Sequence, residues 1–263
     1  MNPKLSVIIP SIRPGNLKRL YESVESSFSG EFEFIVISPY PLPKFLKEKN
    51  NVKFIEDFGN PVRAQQIGII NATGDYILWG GADDGYFLGK SVDTAVNSLI
   101  GKDYKTLVIG KYYEGSDNPF MNSIRYYYIN THNGSRSRFI DNDCLMFMVG
   151  VIPRRLLLEI GGLDSQFEVL PMAFNDISVR LKNYRCNFIF QEEIMFRCSH
   201  MPGHLGDHGP INDAQTINDE PLFRFIYSSR DSMKRDVIDI NNWKNVPERW
   251  ERRFGKDENI SNK

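Results

Sequence analysis

The first eighty residues alternate between short apolar runs and one-sided helical periods, and this alternation constrains the fold more than any other feature. "KLSVIIP" places Leu5, Val7, Ile8 and Ile9 in a buried strand closed by Pro10. In "LKRLYESVESSF", Leu17, Leu20, Tyr21, Val24 and Phe28 fall on one helical face. "EFEFIVIS" reads as a second strand and "VKFIED" as a short third. Asn60 then suits an N-cap, Pro61 the first helical position and Gly74 the helix end, and residues 76–79 make a fourth strand. The order strand, helix, strand, strand, helix, strand predicts an α/β domain with a mostly parallel, doubly wound sheet flanked by helices. Such sheets bind ligands at the carboxyl ends of their strands. Pro10-Ser11, Ser38-Pro39 and Asp83-Asp84 are therefore predicted to share one edge.

Further along, the pattern predicts a helix over 91–100 and a strand in "KTLVIGKYYE". Residues 114–143, rich in Gly, Asn, Ser and Tyr, read as a long loop or irregular hairpin on the binding edge. "CLMFMVGVIP" is a buried strand and "RRLLLEIGGLD" a short helix stopped by Gly161-Gly162. "NDISVRLKNYR" is a helix with Asp176 at its start, and "CNFIFQEEIMFRCSH" supplies one or two strands. The expected division is a main domain over 1–209, with halves 1–110 and 111–209. A helical extension follows over 210–255, anchored by Trp243 and Trp250, and then a disordered tail over 256–263.

Composition narrows the function classes. A chain of 263 residues with net charge −1 gives no general reason to expect a nucleic-acid partner. The longest apolar stretch is about half of what a membrane helix needs, so no transmembrane segment is expected. Three cysteines without CxxC spacing argue against a disulfide framework and for a reducing, cytoplasmic setting.

Chemistry concentrates in three places. Asp83 and Asp84 end the fourth strand among Gly80, Gly81 and Gly85. Adjacent carboxylates there suit a hard divalent cation, Mg²⁺ or Mn²⁺, completed by a phosphate-bearing ligand; they also suit a surface turn. "RCSHMPGHLGDHGP" brings His200, His204 and His208 within nine residues, as metal or phosphate contacts or as a solvated loop. Asp164 follows the double glycine, and Asp176 is either a helix cap or a functional carboxylate.

In their order along the chain, "LSVIIPSIRPGNLKRLYESV", "AQQIGIINATGDYILWGGADD", "PRRLLLEIGGLDSQF" and "NDISVRL" resemble the GT-A glycosyltransferases. The likeness is greatest to the family-2 group of inverting enzymes and covers roughly residues 4–201. It implies a Rossmann-like GT-A domain that moves a sugar, a hexose or a related unit, from a nucleotide-sugar donor, most simply a UDP-sugar. The acceptor is a glycan, a lipid-linked sugar, a protein or a modified nucleic-acid base. A divalent metal, Mn²⁺ or Mg²⁺, is implied, with Asp83 and Asp84 as ligands and His200 or His204 approaching from the far side. Pro10, Ser11, Arg13 and Ser38 would line the nucleoside pocket, with Gly81 beside them and Arg63 facing the donor. Asp176 or Asp164, with Asp143 as a substitute, would act as the base. The departures are specific. Gly81 stands where the family's metal motif often begins with Asp, and Gln65-Gln66 replace Arg-Asn. Ala173-Phe174 occupy the usual Glu-Asp positions ahead of Arg180. A nucleotidyltransferase and a non-catalytic nucleotide-sugar-binding relative are the competing readings.

Overall fold

The computed structural model describes residues 4–80, 83–114, 123–125, 128–129, 145–146, 148–198, 208–229 and 234–256, with side chains described outside 112–147. The first part comprises β1 (Leu5–Pro10), α1 (Leu17–Ser27), β2 (Phe32–Ser38), α2 (Lys44–Lys47), β3 (Val52–Glu56), α3 (Pro61–Asn71) and β4 (Tyr76–Gly80). Next come β5 (Gly85–Phe87), α4 (Ser91–Leu99), β6 (Thr106–Glu114), β7 (Ser123–Arg125), β8 (Tyr128–Ile129) and β9 (Leu145–Met146). They are followed by β10 (Val149–Pro153), α5 (Arg154–Glu159), α6 (Leu170–Asn183) and β11 (Asn187–Cys198). The C-terminal part holds α7 (Gly209–Ala214), a π turn (Gln215–Asp219), α8 (Glu220–Ile226) and α9 (Glu251–Phe254).

The strands lie in the order β3-β2-β1-β4-β10-β6-β11-β5, with β7 added beside β6. Pairing is parallel from β3 through β4 and again between β6 and β11. The pairs of β10 with β4 and β6, of β5 with β11, and of β7 with β6 are antiparallel. The sheet is thus α/β and mixed, its parallel half built by the alternation read above.

Helices cover both faces, so β1 buries both of its sides. Leu5, Val7 and Ile9 pack with α1 and α4, while Ile8 packs on the α3, α5 and α6 side with Ile37, Ile77 and Trp79. At about 1.5–3 kcal/mol for each such side chain, this burial fixes the strand ends that carry the polar residues. α3 starts as its sequence predicts: the Asn60 side chain accepts from the Arg63 N–H at 2.8 Å and Pro61 sits in the first turn.

β1 lies between β2 and β4. The chain first winds from β1 to β2 and β3, then crosses back through α3 to β4. The carboxyl ends of β1 and β4 therefore flank a topological switch point, where such sheets open a crevice. Gly80 turns the chain there. Its φ is +74°, and a Cβ would stand 1.7 Å from the carbonyl oxygen of Met148, the residue before β10.

The extension runs helically from Gly209 to Ile226, and buried positions mark its inner face: Ala214, Asp219, Phe223 and Tyr227. The five-residue step from Ala214 to Asp219 is the π turn, which rotates Asp219 rather than Asn218 onto that face. Residues 234–250 then form an irregular strap against the main domain. It makes one 3₁₀ turn over Asn242–Asn245, and other backbone groups bond to that domain. The Ile238 N–H donates to the Ile160 carbonyl at 3.2 Å and the Trp250 N–H to the Phe58 carbonyl at 2.8 Å. Trp250 is buried, and the Trp243 carbonyl accepts from Arg63. Among the described residues no helix is long and apolar enough to cross a membrane.

Candidate active site

The crevice is spanned by one carboxylate and one loop. Asp83, just past β4, is 4% exposed and faces the loop that leaves β1. Its Oδ2 accepts from Ser11 Oγ at 3.0 Å, from the Ile12 N–H at 3.0 Å and from the Arg13 N–H at 2.9 Å. Its Oδ1 takes the Arg13 guanidinium at 2.6 Å. Two backbone donors, one hydroxyl and one guanidinium thus offset the cost of burying this charge. Asp83 and Asp84 thus differ in their surroundings. Asp84 is half-buried, and its Oδ1 accepts from Cys198 Sγ at 3.3 Å. Cys198 pairs in register with Gly85, which brings the end of β11 to the Asp83-Asp84 turn.

A divalent ion in a nucleotide-sugar site needs only one or two protein carboxylates, because phosphates and water complete its shell. No ready-made group of three His, Cys, Asp or Glu ligands occurs among the described residues. Asp84, the half-buried carboxylate beside the end of β11, is the member of the pair that could contribute to holding such an ion. Asp83 spends both oxygens on the chain's own donors. His200 and His204, two and six residues beyond Cys198, lie outside the described residues, as do Gly81 and Asp143.

Pro10 and Ser11 sit at the end of β1, as expected from the alternation. Ser38, at the parallel position on β2, is 1% exposed and accepts from the Tyr40 N–H at 3.0 Å, closing its own turn. Arg63 does not face the crevice. It is 4% exposed, donates to Asp57 at 3.0 Å and lies 5.0 Å from the Trp243 ring, so it clamps the C-terminal strap. Gln66, one turn along on α3, serves the same end. Its amide donates to the Gly161 and Ile240 carbonyls and accepts from the Leu163 N–H.

The carboxylates read as bases occupy a second site. α6 begins at Leu170 with Pro171 in its first turn, so Asp176 lies inside the helix rather than at its start. It is 0% exposed and bonds Arg180 at 2.8 Å, Arg235 at 2.7 Å and the Tyr227 hydroxyl at 2.7 Å. Arg180 in turn donates to the Ile160 and Gly162 carbonyls. Burial by itself would raise the Asp176 carboxyl, but the Arg180 and Arg235 charges outweigh it and hold it below the usual carboxylate range. Asp164 is 1% exposed and takes the other branch of Arg235 at 2.6 Å. The Asp164–Arg235–Asp176–Arg180 chain therefore locks the strap to α6 and to the double-glycine turn, where Gly161 and Gly162 both have positive φ. Every group named in it is already engaged by another, which suits positioning rather than proton transfer.

Phe174, standing at one of the acidic positions of the resembling motif, is 1% exposed and packs on Trp79 at a ring distance of 4.9 Å. Sequence reasoning missed Arg235 and Asp219. Asp219 holds the segment just ahead of α6 by accepting from the Glu168 N–H at 2.9 Å and the Val169 N–H at 2.8 Å. Burial pushes its carboxyl up to about 6. The sequence signal for Asp219 was the five-residue step in the apolar period.

No protein-family model and no curated protein match the sequence. Solved structures match through the fold. One is S. aureus TarS 1-349 in complex with UDP-GlcNAc, at TM-score 0.52 and 13% identity over 88% of this chain and 69% of that one. A longer crystal structure of S. aureus TarS matches at TM-score 0.52 and 13% identity over 87% of this chain and 44% of that one. GalNAc-T7 with UDP, GalNAc and Mn²⁺ matches at TM-score 0.55 and 13% identity over 89% of this chain and 56% of that one. This chain thus spans between 44% and 69% of the length of those solved chains. At such low identity the likeness is one of architecture, and it agrees with the sheet order and the switch-point crevice: the chain has the fold of the GT-A glycosyltransferases.

Proposed function

We propose that this chain transfers a glycosyl group from a nucleoside-diphosphate sugar, with a UDP-sugar as the first donor to test, to an acceptor nucleophile. The observation that carries the reading is the crevice between β1 and β4 of a GT-A sheet, bordered by the Ser11–Arg13 loop and by Asp83-Asp84. The presence of UDP-GlcNAc with TarS and of UDP with GalNAc-T7 supports the choice of donor. In this reading the nucleoside lies along Pro10 and Ser11 near Ser38, and its diphosphate runs past Arg13 toward Asp84. Residues 1–110 supply this donor half, 111–209 the acceptor half, and 210–255 the extension that braces both.

Asp84 is the residue that would hold a Mn²⁺ or Mg²⁺ ion, with His200 or His204 as further candidate ligands. Such an ion would neutralise the diphosphate and improve the nucleoside diphosphate as a leaving group. Asp83 fixes the β1 loop, so that the N–H groups and hydroxyl lining the crevice do not reorganise during the reaction. Asp164 and Asp176 act through position, by holding α6 and the double-glycine turn. Inversion requires a proton acceptor on the acceptor side, and Asp143 is the carboxylate to test for it. The acceptor classes remain those named above: a glycan, a lipid-linked sugar, a protein or a modified base.

A second reading, a nucleotide-sugar-binding relative without turnover, is favoured by the Phe174–Trp79 contact at a position where the family often carries an acid. Incubation with a panel of nucleotide-sugars and Mn²⁺, followed by detection of the released nucleoside diphosphate, separates the two. Release from at least one donor, lost in Asp84→Asn, supports transfer. Binding without release from any donor or acceptor pair supports the second reading.

A further inference from the structure

We propose that Arg13 is a diphosphate-binding residue seated on Asp83, ready to exchange that carboxylate for the donor's phosphates. This rests on the donor reading above, and it assigns the two adjacent aspartates separate tasks. Asp83 anchors the loop and seats the guanidinium, while Asp84 faces the metal.

Three observations carry it. The first is place. Arg13 follows β1 and Asp83 follows β4, so their ion pair at 2.6 Å crosses the switch-point crevice where a ligand would enter. The second is the division of work between the two carboxylate oxygens. Oδ2 alone holds Ser11 Oγ and the N–H groups of Ile12 and Arg13, so the loop's shape does not depend on the guanidinium bond to Oδ1. The third is exposure. The Asp83 side chain is 5% exposed and fixed, whereas the Arg13 side chain is 31% exposed. Arg180, by contrast, is 0% exposed.

The chemistry of the exchange is favourable. A guanidinium offers paired N–H donors that match phosphate oxygens, and its charge does not titrate in the working range. When Arg13 turns to a diphosphate, the three donors on Oδ2 keep Asp83 in place. No bond is made or broken and no proton moves. The consequence is a component of donor affinity that belongs to the chain itself and survives removal of divalent metal.

Isothermal titration of UDP into the full chain, in Mn²⁺ and separately in EDTA, tests this. The wild type should bind UDP in EDTA, more weakly than in Mn²⁺. Arg13→Ala should weaken binding in EDTA by about tenfold or more, the loss of one charge-assisted contact. Arg13→Lys, which keeps the charge without the fork, should recover part of it. Asp84→Asn should erase the gain from Mn²⁺. With uridine as the probe, Arg13→Ala should match the wild type, because no diphosphate is present. The proposal is overturned if Arg13→Ala binds UDP in EDTA as well as the wild type does, or if it weakens uridine equally. Wild-type binding of UDP in Mn²⁺ but not in EDTA also overturns it and leaves the donor reading standing. Failure to bind UDP in either buffer overturns both.

Discussion

The molecule contains two carboxylate–guanidinium assemblies built from the same chemistry and set in different surroundings. At the crevice, Asp83 is buried but its Arg13 partner is 31% exposed, and one carboxylate oxygen holds the loop through a hydroxyl and two backbone N–H groups, without the guanidinium. Under α6, Asp176 and Arg180 are both 0% exposed and share further partners in Arg235, Tyr227 and two carbonyls. A pair that one partner can leave is available to a ligand. A pair sealed on every side is a fastening, because removing one member strands the other charge in a dry interior. The difference lies in burial, not in residue type.

The comparison breaks most readily at the sealed site. Asp176→Ala should cost about 3–5 kcal/mol, because it leaves Arg180 and Arg235 without their shared carboxylate. Denaturant unfolding would read this as a large drop in midpoint. A variant of near-normal stability that loses only turnover would instead give Asp176 a chemical role. The crevice should respond in the opposite way. Asp83→Ala should lose donor binding and turnover yet cost only about 1–3 kcal/mol in stability, the scale of a few stranded loop donors. Undiminished UDP binding in that variant would remove the crevice from the donor site.

A smaller effect sharpens the view of the fastening through pH. Asp176 is held below the usual carboxylate range, so its contribution is complete above the unfolded value near 4. That contribution fades as pH falls further. Asp219 acts in the other sense: burial raises it to about 6, so the folded chain takes up this proton before the unfolded chain does. Stability from Asp219 therefore grows as pH falls from 7 toward 4 and is lost as pH rises through 6. The expected gain is on the order of 1–3 kcal/mol. Melting temperatures measured at half-unit pH steps should show the rise in wild type and not in Asp219→Asn. An identical rise in the variant would move the titration elsewhere.

Much of the parallel half of the sheet was legible because its signals are local. Leu5, Val7 and Ile9 alternate with their neighbours, Leu17 to Phe28 repeat on one face, and Asn60-Pro61 open a helix with their own side chains. Asp83 and Asp84 were placed correctly at the end of β4 because a strand run stops there. What Asp83 touches was not legible, since its partners lie some 70 residues away and meet it only through the parallel pairing of β1 with β4. Arg63 was assigned to the donor because one turn of helix fixes its direction only to within a face, and the strap that claims it arrives 180 residues later. Asp176 resembles a helix start unless Pro171 is placed in the first turn of α6, and its burial depends on Arg235 and Tyr227 from the extension. Local periodicity writes elements into a sequence; charge pairing across the tertiary fold does not appear there.

The most direct test is a crystal structure of the chain with UDP and Mn²⁺. The account predicts anomalous density for the ion beside Asp84, with the diphosphate within hydrogen-bonding distance of Arg13 and the nucleoside against Ser11, while Asp176 keeps its bonds to Arg180 and Arg235. Nucleotide bound against Asp164 and Asp176, or an ion coordinated by Asp176, would contradict it.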